Sequence, residues 1–359
     1  MARIELDLAH AYRPNPQTDA DYALLPLKMT FEDGGAYALL GPSGCGKTTM
    51  LNIMSGLLVP SQGSVRFDGK DVTADTPQQR NIAQVFQFPV IYDTMTVAEN
   101  LGFPLRNRKV APDQIKKRVG EIAEMLEMSG QLNQRASGLS ADEKQKISLG
   151  RGLVRPDVSA VLFDEPLTVI DPHLKWQLRR KLKQIHRELK LTLIYVTHDQ
   201  VEALTFAQQV VVMTRGRAVQ MGPAADLFER PSHTFVGHFI GSPGMNFLPG
   251  QVDDSGVHLC GVNVGLPISG VPLPAGDITL GIRPEYVQIV LPQTPGALPM
   301  TVGQIRDVGT HLIVSATISG HAFKVRLQST AVPFAVGEQV WFHVMGDKTC
   351  FYKNEEIVQ

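Results

Sequence analysis

The sequence is poor in the features that would place it in a membrane, outside the cell or on a polyanion. Its 359 residues include only three cysteines, Cys45, Cys260 and Cys350, far apart and without a paired-ligand spacing. That argues against a disulfide framework or a zinc site and suits a reducing compartment, with the cytoplasm as the default. No uninterrupted apolar stretch approaches the roughly 20 residues that cross a bilayer as a helix, and MARIELDLAH lacks an apolar signal core. The chain is therefore not expected to be a membrane channel itself. An excess of charge is missing too: 34 Lys and Arg stand against 35 Asp and Glu, interspersed, for a net charge of -1. No global field or basic stripe recommends nucleic acid or an anionic membrane as partner. What the chain does have is length, enough for two domains with a core each.

The stretch that organises the rest is AYALLGPSGCGKTTMLNIMSGLLV, residues 36 to 59. Ala36 to Leu40 is an apolar run of buried-strand type. From Thr48 onward Leu51, Met54, Leu57 and Leu58 recur at helical spacing until Pro60. A strand therefore feeds a helix through Gly41, Pro42, Ser43, Gly44, Cys45, Gly46, Lys47 and Thr48, which fit GxxxxGK[ST]. In such a loop glycines let backbone N–H groups turn inward around phosphates, the lysine reaches the terminal ones, and the hydroxyl of Thr48 is placed for Mg²⁺. The positive end of the helix adds to the attraction for a polyphosphate.

Alternating Ile4, Leu6 and Leu8 predict an opening strand, and Arg13 to Asp21 a surface loop before another strand at Tyr22 to Met29. Residues 83 to 88 read as a strand ending at Gln87. That amide either touches Mg²⁺ or water in a phosphate site or is simply a solvated strand end. Thr96 to Arg155 reads mostly helical, with Val97, Leu101, Ile115, Val119, Ile122, Met125 and Leu126 as core positions and a last helix opened by Ser140. Ala160 to Phe163 is a buried strand with Asp164 and Glu165 at its carboxyl end, the edge where open α/β sheets bind ligands. An acid there holds Mg²⁺, and its neighbour orients or deprotonates water. Leu193 to Val196 is a further strand, ending in Thr197, His198 and Asp199. His198 is either a hydrogen-bonded fixture or, given its company, a contact to the γ-phosphate. Strands at Val210 to Met213 and Ala218 to Met221 and a short helix near Ala224 to Glu229 follow. From about Pro243, glycine, proline and β-branched residues replace helical periodicity, and five runs between Ile278 and Val344 predict a small all-β barrel.

Taken in order, GPSGCGKTT, VFQ, LSADEKQ, VLFDEP, TVID and YVTHD resemble the ATP-binding cassette (ABC) family over almost the whole chain. The resemblance implies an α/β P-loop nucleotide-binding domain over residues 1–242, with a helical subdomain at about 89–156, and an OB-like β-barrel regulatory domain over 243–359. It implies an ATPase that uses ATP and Mg²⁺. By it Tyr12 stacks on adenine, Gly41 to Thr49 cradle the phosphates, and Thr48, Gln87 and Asp164 attend the Mg²⁺. Glu165 is the general base, His198 the switch histidine, and Asp171 the acid that communicates across a dimer. An aromatic packed on the sheet is the plain alternative for Tyr12. HFIGSPGMNFLPG and LGIRPEYVQI are similar to the carbohydrate-uptake branch of bacterial importer ATPases, and LSADEKQKISLGRGLVR with DEPLTVIDPHLKW to its glycerol importers. That branch implies transmembrane permease subunits, a second ATPase subunit, a periplasmic solute-binding protein acting indirectly, and a place on the cytoplasmic face of the inner membrane. Rival readings are a soluble cassette ATPase acting on nucleic acid or protein assemblies and a low-turnover nucleotide-sensing subunit.

One motif departs from the family. Its signature LSGGQ, whose serine and glycine amides clasp the nucleotide of the opposite subunit, reads LSADE here, from Leu139 to Glu143. A unit charge on Asp142 about 5 Å from a phosphate charge, at an effective dielectric near 20, is repelled by roughly 3 kcal/mol. Ser140 and Glu143 also spell a capping box, worth only about 1 kcal/mol. Either Asp142 points away from phosphate or the signature completes a weak site. The second favours a heterodimer. Cys45, beside Lys47 at a helix N-terminus, is expected to favour thiolate.

Overall fold

The computed structural model describes residues 2–168, 170–265, 273–328 and 334–358. It divides into two units, Met1–Ala224 and Ala225–Gln359. Val169 of the TVID motif lies outside the described residues.

In the first unit the alternation of Ile4, Leu6 and Leu8 buries one face of strand β1 (Ile4–Ala11), which pairs antiparallel with β2 (Tyr22–Phe31). The all-apolar β3 (Ala36–Leu40) is buried throughout, as a strand covered on both faces must be. Helix α1 (Lys47–Ser55) follows it. The apolar spacing predicts a helix running on to Pro60, but it stops at Ser55 because Gly56 adopts φ 84° and returns its N–H to the carbonyls of Asn52 and Ile53. Arg80 secures that end, donating to Ile53 O at 2.6 Å and Met54 O at 3.0 Å from a fully buried guanidinium. Strand β4 (Gln62–Phe67) pairs with β1 and carries the short β5 (Lys70–Asp71), giving a four-stranded antiparallel sheet in the order β2-β1-β4-β5.

The sixth strand, β6 (Ile82–Val85), ends before the expected residue 88, and Phe86 and Phe88 turn outward to solvent. The helical stretch then resolves into α2 (Val97–Asn107), α3 (Pro112–Met125) and α4 (Ala141–Leu153). Val97, Leu101, Val119, Ile122 and Leu126 are buried, with Ile115 and Met125 packed against them. Strand β7 (Ala160–Asp164), α5 (Pro172–Leu189), β8 (Leu193–Thr197), α6 (Gln200–Phe206), β9 (Gln209–Thr214) and β10 (Arg217–Gly222) complete a six-stranded sheet in the order β10-β9-β3-β8-β7-β6. All its pairings are parallel except β10 with β9. One apolar core joins α1 to β3, β8 and β9, and another joins α2 to α5 with β6, β7 and β8. The carboxyl ends of β3, β7 and β8 consequently lie at one edge.

The second unit opens with α7 (Ala224–Glu229) and α8 (Thr234–Phe239), short helices that composition alone groups with the preceding residues. Arg283, fully buried, gathers them by donating to the carbonyls of Phe228 at 2.9 Å, Gly237 at 3.0 Å and Ile240. The expected β runs are present and fall into two antiparallel sheets around one core. The first contains β11 (Asn246–Asp253), β12 (Gly256–Leu259), β13 (Val262–Gly265) and β14 (Gly276–Ile282). The second contains β15 (Gln288–Val290), β16 (Ala297–Asp307), β17 (His311–Ile318), β18 (His321–Gln328) and β19 (Gln339–His343). The chain ends by adding β20 (Cys350–Lys353) and β21 (Glu356–Ile357) to the first sheet.

Candidate nucleotide hydrolysis site

Gly46 ends the loop between β3 and α1 at φ 100°, and a Cβ there would lie 2.5 Å from Ala23 O, so only glycine suits the position. Pro42, Ser43 and Gly44 are exposed, and Lys47 is buried behind them. The Lys47 ammonium donates to Gly41 O at 2.8 Å and Pro42 O at 2.9 Å. It thus braces the loop from within. Thr48 and Thr49, one residue apart on the first turn, reach in different directions. Thr48 Oγ1 donates to Asp164 Oδ1 at 3.2 Å. Thr49 Oγ1 meets the Tyr12 hydroxyl at 3.0 Å. Tyr12 itself is two-thirds exposed, with its ring set edge-on against His10 at 4.7 Å. Tyr12 therefore stands beside the phosphate loop with most of its side chain exposed.

Asp164 is the last residue of β7, and burial is the main cause that raises its pKa. The Thr48 hydrogen bond and the Lys47 charge oppose that rise, while Glu165 adds to it. Glu165 stands next in the left-handed region at φ 47°, unusual for a side chain of its size and a mark of a constrained site. Its Oε2 accepts the Thr168 hydroxyl at 3.2 Å and lies 3.1 Å from His198 Nδ1. The strand ends thus bring the loop from Gly41 to Thr49, Asp164, Glu165 and His198 to one edge of the six-stranded sheet, and Tyr12, at the end of β1 in the other sheet, joins them through Thr49. The other three expected residues sit on separate segments: Gln87, half-buried, beyond β6; Asp171, exposed, ahead of α5; and Ser140, exposed, at the start of α4.

Comparison with known proteins gives this arrangement a family. Residues 24–168 match the ABC transporter family, 241–287 the MalK OB fold domain and 280–350 the TOBE domain. The chain is 38% identical over 333 residues to the sn-glycerol-3-phosphate import ATP-binding protein UgpC of Escherichia coli K12, covering 92% of this chain and 93% of that one. The chain belongs to the ABC transporter family. The UgpC protein of Pectobacterium atrosepticum is likewise 38% identical, over 325 residues and 89% of both chains. Among solved structures, cbiO1 from Clostridium perfringens, part of the ABC transporter complex cbiONQ, superposes with a TM-score of 0.57. It is 26% identical and covers 64% of this chain and 90% of its own. The protein is an ABC-type ATPase, with a P-loop α/β core followed by OB and TOBE all-β regions.

In this ABC ATPase the expectation for Cys45 is overturned. The thiol is buried, and that burial pushes its pKa up, outweighing the Lys47 ammonium 3.9 Å from the sulfur. Two polar residues that sequence reasoning passed over are built into the site. Gln145, fully buried on α4, donates to Pro166 O at 2.7 Å, next to Glu165, and to Phe86 O at 3.5 Å, next to Gln87. Glu202, buried on α6, accepts from Thr197 beside His198. In each case the readable signal is a polar residue on the apolar face of its helix, among Leu149 and Leu153 for Gln145 and Ala203 and Phe206 for Glu202.

Proposed function

We propose that this ATPase drives uptake of a small polyhydroxylated solute, a sugar or a polyol of the glycerol kind, through separate membrane subunits on the cytoplasmic face of the inner membrane. The observation that carries the reading is the 38% identity to an import ATP-binding protein for sn-glycerol-3-phosphate, which runs through both units. A periplasmic solute-binding protein presents the solute to the membrane subunits. Those subunits dock beside the Gln87 segment, where Phe86, Phe88, Val90 and Tyr92 expose apolar surface. A cleft of about 540 Å³ next to it, lined by Pro104, Arg108, Arg151 and Arg155 among others, is large enough for a short helix end.

The chain's own residues account for the chemistry. Loop amides and Lys47 take the phosphates of ATP, and Tyr12 takes the base. The Thr48 hydroxyl and the Asp164 carboxylate are hard oxygen donors 3.2 Å apart, and Gln87 adds an amide oxygen from its segment; this set suits Mg²⁺, which binds few protein groups when phosphate oxygens supply others. When bound, Mg²⁺ offsets the charge on the phosphates. Glu165 takes a proton from the attacking water, and His198 keeps its carboxylate aimed. Asp171 and Ser140 face the second ATPase subunit. Glu143 Oε2 accepts both the Ser140 amide at 2.8 Å and its hydroxyl at 2.9 Å, which withholds two donors from that neighbour's nucleotide. That observation supports a heterodimer with unequal sites, and it also favours a second reading, a low-turnover nucleotide-sensing subunit.

The test is purification from detergent-solubilised membranes, followed by ATPase assay of the complex in lipid with glycerol, glycerol phosphate and nucleic acid. Import subunits that co-purify and turnover raised by the polyol are expected. Nucleic-acid stimulation without membrane partners would overturn the reading, and hydrolysis that no solute changes would favour the sensor.

A further inference from the structure

Glu202 is a buried carboxylate, 4% exposed, on α6. A charge in such a place persists only where donors replace water. Its Oε2 accepts the hydroxyls of Thr197 at 2.8 Å and Tyr195 at 3.0 Å, both from β8. Its Oε1 lies 4.0 Å from the ammonium of Lys175, on the first turn of α5. The Thr197 hydroxyl is used twice, since its oxygen also accepts the Asp199 amide at 3.0 Å. Asp199 in turn caps α6 by accepting from Val201 at 2.7 Å and Glu202 at 3.2 Å. His198, between Thr197 and Asp199, is itself more than half exposed and meets Glu165 with Nδ1. Its backbone is therefore pinned on both sides to one buried acid, while its ring meets Glu165 at the surface. On the other side, Lys175 donates its backbone N–H to Asp171 O at 2.9 Å. The same carboxylate thus reaches, through single residues, the segments carrying His198 and Asp171.

We propose that Glu202 is a positioning residue for hydrolysis, which fixes the backbone under His198 through Thr197 and links it through Lys175 to the Asp171 segment. A rigid support of this kind matters because a misplacement of about 1 Å at a reacting group can cost on the order of 100-fold in rate. A merely structural Glu202 would serve equally through either hydroxyl. The two donors separate the cases, because Thr197 adjoins His198 and Tyr195 points into the core between Phe163 and Phe206.

The inference rests on the reading of Glu165 and His198 as the hydrolytic pair, and the experiment keeps the two apart. In the full chain, Thr197→Val and Tyr195→Phe each remove one hydroxyl from Glu202, and both are expected to lower the melting temperature. Thr197→Val alone is expected to lower kcat by about tenfold or more with KM for ATP within about twofold, and Thr197→Ser to restore it. Amide exchange at Asp199 should quicken by about tenfold in Glu202→Leu, which leaves the Thr197 oxygen that accepts this amide in place, as well as in Thr197→Val, and stay unchanged in Tyr195→Phe. Equal loss of kcat in Thr197→Val and Tyr195→Phe, unaltered kcat and exchange in Thr197→Val, or unaltered exchange in Glu202→Leu, would overturn the proposal. His198→Ala tests the pair itself: hydrolysis that survives it refutes that reading, while the exchange measurement still decides whether Glu202 holds the backbone.

Discussion

His198 Nδ1 lies 3.1 Å from Glu165 Oε2, although the two residues are 33 positions apart and come from the ends of different strands. The Thr168 hydroxyl reaches the same oxygen at 3.2 Å. The carboxylate is therefore held from one side, in a backbone conformation that few residues adopt, which leaves its direction fixed before any nucleotide arrives.

Removing the basic oxygen without removing the shape tests that role. Glu165→Gln is expected to reduce turnover on the order of 100-fold or more, because proton abstraction is lost, while ATP affinity stays within about twofold. Phosphate release and equilibrium nucleotide binding, measured on the same preparation, check both halves. Turnover equal to that of the unaltered chain would remove Glu165 from the base role.

Asp164 shows the opposite economy of charge. Burial raises its pKa, so the folded state binds a proton more readily than the unfolded chain does. Stability then falls as pH rises from the unfolded value through the folded one, and a constant deficit remains at neutral pH. Asp164→Asn abolishes that deficit, so the nucleotide-free variant is expected to melt above the unaltered protein at pH 7, with the gap closing as pH falls towards the ordinary aspartate pKa. The same change should weaken binding of ATP in the presence of Mg²⁺ by about tenfold or more, with little effect when the metal is chelated. Calorimetry across pH and nucleotide titration with and without chelator read the two effects.

Much of this was legible in the chain because the local rules are strong. A wholly apolar five-residue strand, a glycine loop and a helix can follow one another in few ways, and Asp164 and Glu165 sit where a buried strand runs out. The capping box of Ser140 and Glu143 formed as the spacing requires. What escaped was tertiary. Leu57 and Leu58 continue a helical pattern, but Gly56 and the guanidinium of Arg80 end the helix, and Arg80 arrives from 27 positions beyond Ile53. Gln145 and Glu202 are polar residues on apolar faces, whose partners lie on other elements and carry no spacing rule.

Cys45 illustrates the same limit, since proximity to Lys47 was visible in sequence and burial was not. With its pKa raised, the folded thiol stays protonated where a free one ionises, so maleimide labelling at pH 8 is expected to be slower than that of a small thiol. Denaturant should abolish the difference. For stability the sign follows from the unfolded chain, whose thiolate forms first: the contribution is full below about pH 8.5 and declines as pH rises past it. Fast labelling of the folded protein at neutral pH, read by mass spectrometry, would contradict this placement.

The LSADE signature carries the sharpest consequence for assembly. Glu143 takes the Ser140 amide and hydroxyl, and these bonds, the amide first, hold its pKa below the usual carboxylate range. The stability it lends to α4 is present above the unfolded pKa and lost as pH falls through the folded one. At neutral pH, therefore, the acid never releases Ser140 by protonation. Glu143→Gln replaces the doubly accepting oxygen with an amide, whose NH₂ can donate to the Ser140 oxygen and turn the hydroxyl proton outward. Combined with Glu165→Gln to block hydrolysis, it is expected to strengthen ATP-driven association of ATPase subunits by several-fold, measured by light scattering. Ala141→Gly with Asp142→Gly should act in the same direction by removing the half-buried acid of the first turn. If neither change moves association or the turnover of the reconstituted complex, the signature is not what limits closure, and the case for unequal sites falls with it.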